Sequence, residues 1–83
     1  MFMIEDQRHC EAIATFEDRA DALAALHWLA DLPWDDAPNR APCTGWSTCG
    51  RTYQLIEYVD DSSWSELARD DALEVSAAGI VWL

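Results

Sequence analysis

The chain has 83 residues and a formal net charge of -11, from sixteen Asp and Glu against five arginines and no lysine. A chain this short supports one small domain with little interior. The charge excludes a basic patch for nucleic-acid phosphates and a basic cluster for an anionic membrane surface. Such an excess of charge costs stability by self-repulsion and favours a soluble monomer. A hydrophobic content of 51% with five tryptophans is not the composition of a disordered chain. No apolar run approaches the ~20 residues of a membrane span. The start, Met1-Phe2-Met3-Ile4-Glu5-Asp6, lacks the basic region of a secretory signal. Three cysteines, odd in number and few, argue against a disulfide scaffold and for the cytosol.

Residues 8 to 16 alternate with period two and predict the first strand, with Cys10, Ala12, Ala14 and Phe16 on a buried side. Phe2 to Ile4 are candidates for extended structure ahead of it. Residues 18 to 32, rich in Ala and Leu, predict a helix with Asp18 as N-cap. Acids in its first turn suit the helix dipole, and Pro33 stops it. Ala22, Leu23, Leu26, Leu29 and Ala30 form its apolar arc, and Trp28 lies on the opposite side.

Residues 33 to 45 contain all three prolines and read as a long loop of the kind that often carries function. Aromatic and β-branched residues over 46–59 predict strand, with Gly50-Arg51 as a hairpin turn or a bulge, the hairpin being preferred. Ser63-Trp64-Ser65-Glu66 fits a capping box and predicts a short helix from Trp64 to about Asp70. Ile80 to Leu83 predict a last strand, and Leu73 to Val75 either pair with it or continue the helix. The expected fold is a single α+β domain over 1–83, a sandwich of β-α-β-β-α-β, ferredoxin-like order with two helices on one face of an antiparallel sheet.

Catalytic and metal chemistry find little footing in the spacing. The candidate ligands are His9, Cys10, His27, Cys43 and Cys49, but five residues separate Cys43 from Cys49 and both histidines lie far upstream. Structural zinc usually shows closer pairs, so no metal and no cofactor is expected. Cys43 and Cys49 could bridge, although free thiols suit a cytosolic chain better. A nucleophile elbow and a phosphate-cradling glycine loop are both missing. Abundant surface carboxylates give no sign of the paired environments that separate two pKa values. The expectation is a protein that is not an enzyme.

The acids themselves are the motif. Ten of the sixteen come as adjacent pairs: Glu5-Asp6, Glu17-Asp18, Asp35-Asp36, Asp60-Asp61 and Asp70-Asp71. Turn and cap chemistry accounts for part of this placement, but not for the scarcity of bases. Among the tryptophans, Trp82 and Trp46 read as core. Trp28 and Trp34 stand beside acids, as interface anchors do. The candidate partner-binding residues are therefore Glu17, Asp18, Asp21, Trp28, Trp34, Asp35, Asp36, Asp60, Asp61, Asp70 and Asp71.

An acidic body of this kind fits the phosphate-binding groove of a basic, nucleic-acid-handling protein. In size, in its acid doublets and in its compact α/β order, the chain resembles the small acidic phage-encoded anti-CRISPR proteins. It is similar in particular to those that block DNA binding by a Cascade-type complex. The resemblance implies nucleic-acid mimicry, a phage or prophage origin, action in the bacterial cytoplasm and no enzymatic activity. Two alternatives stay open: an acidic immunity protein or antitoxin that neutralises a nuclease, and a small accessory subunit of a larger assembly.

Overall fold

A computed structural model describes residues 1–59 and 65–83. Five strands form one antiparallel sheet in the order β2-β1-β3-β4-β5. The strands are β1 (Phe2–Asp6), β2 (Glu11–Phe16), β3 (Gly50–Tyr58), β4 (Glu66–Ser76) and β5 (Gly79–Trp82). One helix, α1 (Arg19–Asp31), connects β2 to β3 and packs on one face of the sheet. β2 and β3 both run antiparallel to β1, which lies between them. The unit β2-α1-β3 is therefore a crossover that straddles one strand.

The core forms where alternation along the strands meets the helix stripe. Ile4, Tyr53, Leu55, Leu73 and Val75 pack against Ala22, Leu26 and Leu29. Leu23, the outermost member of the predicted arc, is 39% exposed. Asp18 occupies the N-cap position with extended backbone, but its side chain makes no capping bond.

The loop after α1 is tied down by Asn39. Its amide nitrogen donates to the carbonyls of Leu29, Leu32 and Pro33, closing the helix C-terminus from outside the helix. Its Oδ1 accepts the Tyr53 hydroxyl at 2.8 Å, and burial holds that phenol well above its ordinary pKa. The loop is thereby stapled to the middle of the sheet.

Several expectations are corrected. The two-helix, ferredoxin-like order fails, because residues 66–76 form β4 rather than a helix. Glu66-Leu67-Ala68-Arg69 has good helical propensity, but cross-strand partners override it. Arg69 reaches Glu5 on β1 and Gln54 on β3, and Leu73 and Val75 alternate into the core. Of the capping box Ser63-Trp64-Ser65-Glu66, the first two residues lie outside the described residues, and Glu66 begins β4. The strand expected over 8–16 is divided: Gln7 to Cys10 form the turn between β1 and β2, and Cys10 is exposed with φ 52°. A bulge opposite Ile4 and Glu5 then brings both Ile13 and Ala14 to the helix side. No hairpin turns at Gly50. A short 3-10 turn, Trp46–Thr48, leads into one uninterrupted β3. Trp82 is 48% exposed on the edge strand β5, touching His27 with ring centroids 4.8 Å apart, so it is not core.

Gly50 begins β3 because β4 comes too close for a side chain. A Cβ there would stand 2.4 Å from the Val75 carbonyl oxygen and 2.8 Å from the Ser76 Cβ. Gly50→Ala should therefore destabilise the domain by about 1–3 kcal/mol, the cost of overpacking. A lowered urea midpoint with unchanged slope would show this, and an unchanged midpoint would refute the close approach.

Candidate functional site

Two regions carry chemistry. The first is built around a buried carboxylate at the end of β1. Asp6 is fully buried and accepts four hydrogen bonds. Oδ1 receives the backbone amides of Arg8 and Thr52, each at 3.1 Å. Oδ2 receives Arg51 Nη1 at 3.0 Å and His9 Nδ1 at 2.6 Å. Arg51, 4% exposed, also donates from Nη2 to the Arg40 carbonyl and pairs with Glu11. Its Nε finds no hydrogen-bond partner among the described residues.

This network orients His9. With Nδ1 turned to Asp6, Nε2 points at the Cys49 thiol, 3.3 Å away. The hydrogen bond to Asp6 holds the imidazole above its ordinary pKa, against partial burial. Cys43 completes the group. The sulfurs of Cys43 and Cys49 and one ring nitrogen of His9 all lie within 4.8 Å of one another. All three cysteines are free thiols. Burial pushes the Cys49 thiol up, but hydrogen bonds involving Cys43, Gly50, His9 and Arg8 outweigh it, and the net direction is down. Gly50 fixes where β3 starts, and so places Cys49 directly before it. Three of the five candidate ligands read from the sequence, His9, Cys43 and Cys49, come together here, and His27 and Cys10 are outside the group. The spacing rules look for ligand pairs close in sequence, whereas this set joins a hairpin turn to the end of a loop. The legible signal was Asp6-x-x-His9, a carboxylate and an imidazole three residues apart.

The second region is the outer layer formed by α1 and its flanks. The ion pairs gather on the sheet and its turns: Arg69 with Glu5 and Glu66, Arg51 with Asp6 and Glu11, and Arg8 with Glu74. Around α1, Glu17, Asp18, Asp21, Asp31, Asp35 and Asp36 are all exposed and in no ion pair among the described residues. Arg40 stacks on Trp46, 3.9 Å from the ring centroid. Between α1 and the edge strand β2 runs an apolar groove of about 410 Å³. Ile4, Ile13, Ala14 and Phe16 line the sheet side, and Ala24, Ala25, Trp28 and Leu29 the helix side. Trp28, 57% exposed, stands at its lip. Asp21 and Asp31 are spaced from Ala25 and Trp28 so as to continue the same helix stripe.

Of the sequence-derived candidates, Trp28 lines this groove, Glu17, Asp18 and Asp21 are exposed at the N-terminal end of α1, and Asp35 and Asp36 lie exposed just past its C-terminus. Trp34 departs from them. It is half-buried, packs on the core and contacts Trp46 with centroids 5.9 Å apart. Asp70 and Asp71 are on β4, where Asp71 accepts from Gln54 at 2.7 Å. Asp60 and Asp61 lie outside the described residues.

Asp6→Ala should destabilise the domain by about 3–5 kcal/mol, because it strands the Arg51 charge in the interior. Equilibrium urea unfolding measures this, and a loss under ~1 kcal/mol would contradict a buried pair at this position. Comparison with protein-family models, with curated proteins and with solved structures yields no match to this chain.

Proposed function

We propose that the chain is a non-enzymatic binding protein that occupies the nucleic-acid site of a basic partner. The observation that carries this reading is an exposed tryptophan in an apolar groove, on a helix flanked by exposed acids that are in no ion pair among the described residues. Trp28 supplies contact area with little entropy to lose, as interface anchors do. Glu17, Asp18, Asp21 and Asp31 supply carboxylates that can take arginines in forked, charge-assisted bonds. Their summed field steers a positive partner toward the groove.

Support for mimicry also comes from where the bases are. Three of the five, Arg8, Arg51 and Arg69, are held in ion pairs with acids of the sheet, whereas the acids flanking α1 are in no ion pair among the described residues. The likeness of the chain to small acidic anti-CRISPR proteins makes a Cascade-type complex in the bacterial cytoplasm the first partner to test. A nuclease neutralised by an immunity protein is the second, since its basic cleft asks for the same surface. No helix among the described residues is long and apolar enough to cross a membrane.

The test is competition. The chain should displace DNA from its partner, and excess DNA should displace the chain. Affinity should fall steeply between ~0.1 and ~1 M salt, as the screening length drops from about 10 to about 3 Å. Trp28→Ala should weaken binding at least ~10-fold. Binding that ignores both salt and competing DNA would refute mimicry.

A further inference from the structure

We infer that His9, Cys43 and Cys49 form a binding site for a thiolate-preferring divalent cation of the zinc class. The inference is independent of the partner surface. Three donors of the kind zinc prefers, two sulfurs and one imidazole nitrogen, converge within 4.8 Å. Bond lengths of about 2.3 Å to sulfur and about 2.0–2.1 Å to nitrogen place donors on a tetrahedron ~3.6–3.8 Å apart. The Cys49 Sγ to His9 Nε2 distance, 3.3 Å, is already close to such an edge. The third donor, the Cys43 sulfur, lies within 4.8 Å of both, so a bound ion would have to draw it inward by about 1 Å at most.

What lies behind the imidazole strengthens the assignment. His9 donates through Nδ1 to the buried Asp6 carboxylate at 2.6 Å, which leaves the Nε2 lone pair facing the two thiols. A carboxylate that fixes the ring and its tautomer is the arrangement metal-binding histidines use. Charge balances as well. Two thiolates neutralise a divalent ion, and Asp6 is matched by Arg51 at 3.0 Å. Binding releases the two thiol protons to solvent, with no change in oxidation state. Three protein donors leave a fourth position for water or an outside ligand. Cys10, exposed in the turn and 3.9 Å from the Gln7 carbonyl, is outside the group.

The probe is Co2+ added to the reduced 83-residue chain. One equivalent should give the visible bands of a tetrahedral site and a thiolate-to-cobalt charge-transfer band, and Zn2+ should abolish both. Cys43→Ser and Cys49→Ser should each lose most of the charge-transfer intensity. His9→Gln should lower Co2+ affinity at least ~10-fold, and Cys10→Ser should bind as the unaltered chain does. Circular dichroism of each variant shows whether it has folded, and the spectrum of the unaltered chain decides the matter if one has not. A reduced protein whose cobalt spectrum is octahedral and lacks charge transfer would overturn the site. So would loss of the band in Cys10→Ser equal to that in Cys43→Ser.

Discussion

The ion pair between Asp6 and Arg51 is the constraint on which the rest of the molecule depends. A carboxylate with no exposure is tolerable only if its lone pairs are filled. Asp6 fills its own with two backbone amides, a guanidinium and an imidazole. These donors come from two separate parts of the chain and reach a third. The Arg8 amide and His9 fix the turn between β1 and β2, the Thr52 amide and Arg51 fix the start of β3, and Arg51 holds the Arg40 carbonyl of the long loop. A small domain with a thin core gains order from such a polar centre as well as from apolar burial. The arrangement is not free of cost, since Arg51 Nε is buried without a partner among the described residues.

From this centre the charge of the molecule divides. The arginines on the sheet pair with sheet acids, and Arg69 alone bridges Glu5, Glu66 and Gln54. The acids flanking α1 have no such partners among the described residues and face solvent. Trp28 lies on the helix that these acids flank, and under the proposed function a basic partner would meet charge and contact area together there. At the end of the same scaffold, the Asp6 network aims His9 at two thiols.

Much of this was legible in the sequence where periodicity decides structure. The helix emerged from the spacing of Ala22, Leu26 and Leu29, and Trp28 emerged on its outer side for the same reason. The loop after Pro33 and the last strand were equally open to reading. Residues 66–71 were not, because Glu, Leu, Ala and Arg favour a helix locally and only pairing with β3 makes them strand. Trp34 was misplaced by its acidic neighbours, since Asp35 and Asp36 are exposed while the indole packs inward on Trp46. The cluster of His9, Cys43 and Cys49 was hidden for a topological reason. Its members meet only after the crossover through α1 returns the chain beside β1.

The central claim is that Asp6 organises the end of the sheet and its neighbouring turn. Native-state hydrogen exchange at the Arg8 amide tests it most directly. Arg8 lies in an exposed turn, where an amide ordinarily exchanges through small local openings. Its bond to the buried Asp6 carboxylate predicts protection like that of the core amides of β3. Exchange at the fast rate of the surrounding turn would contradict the account.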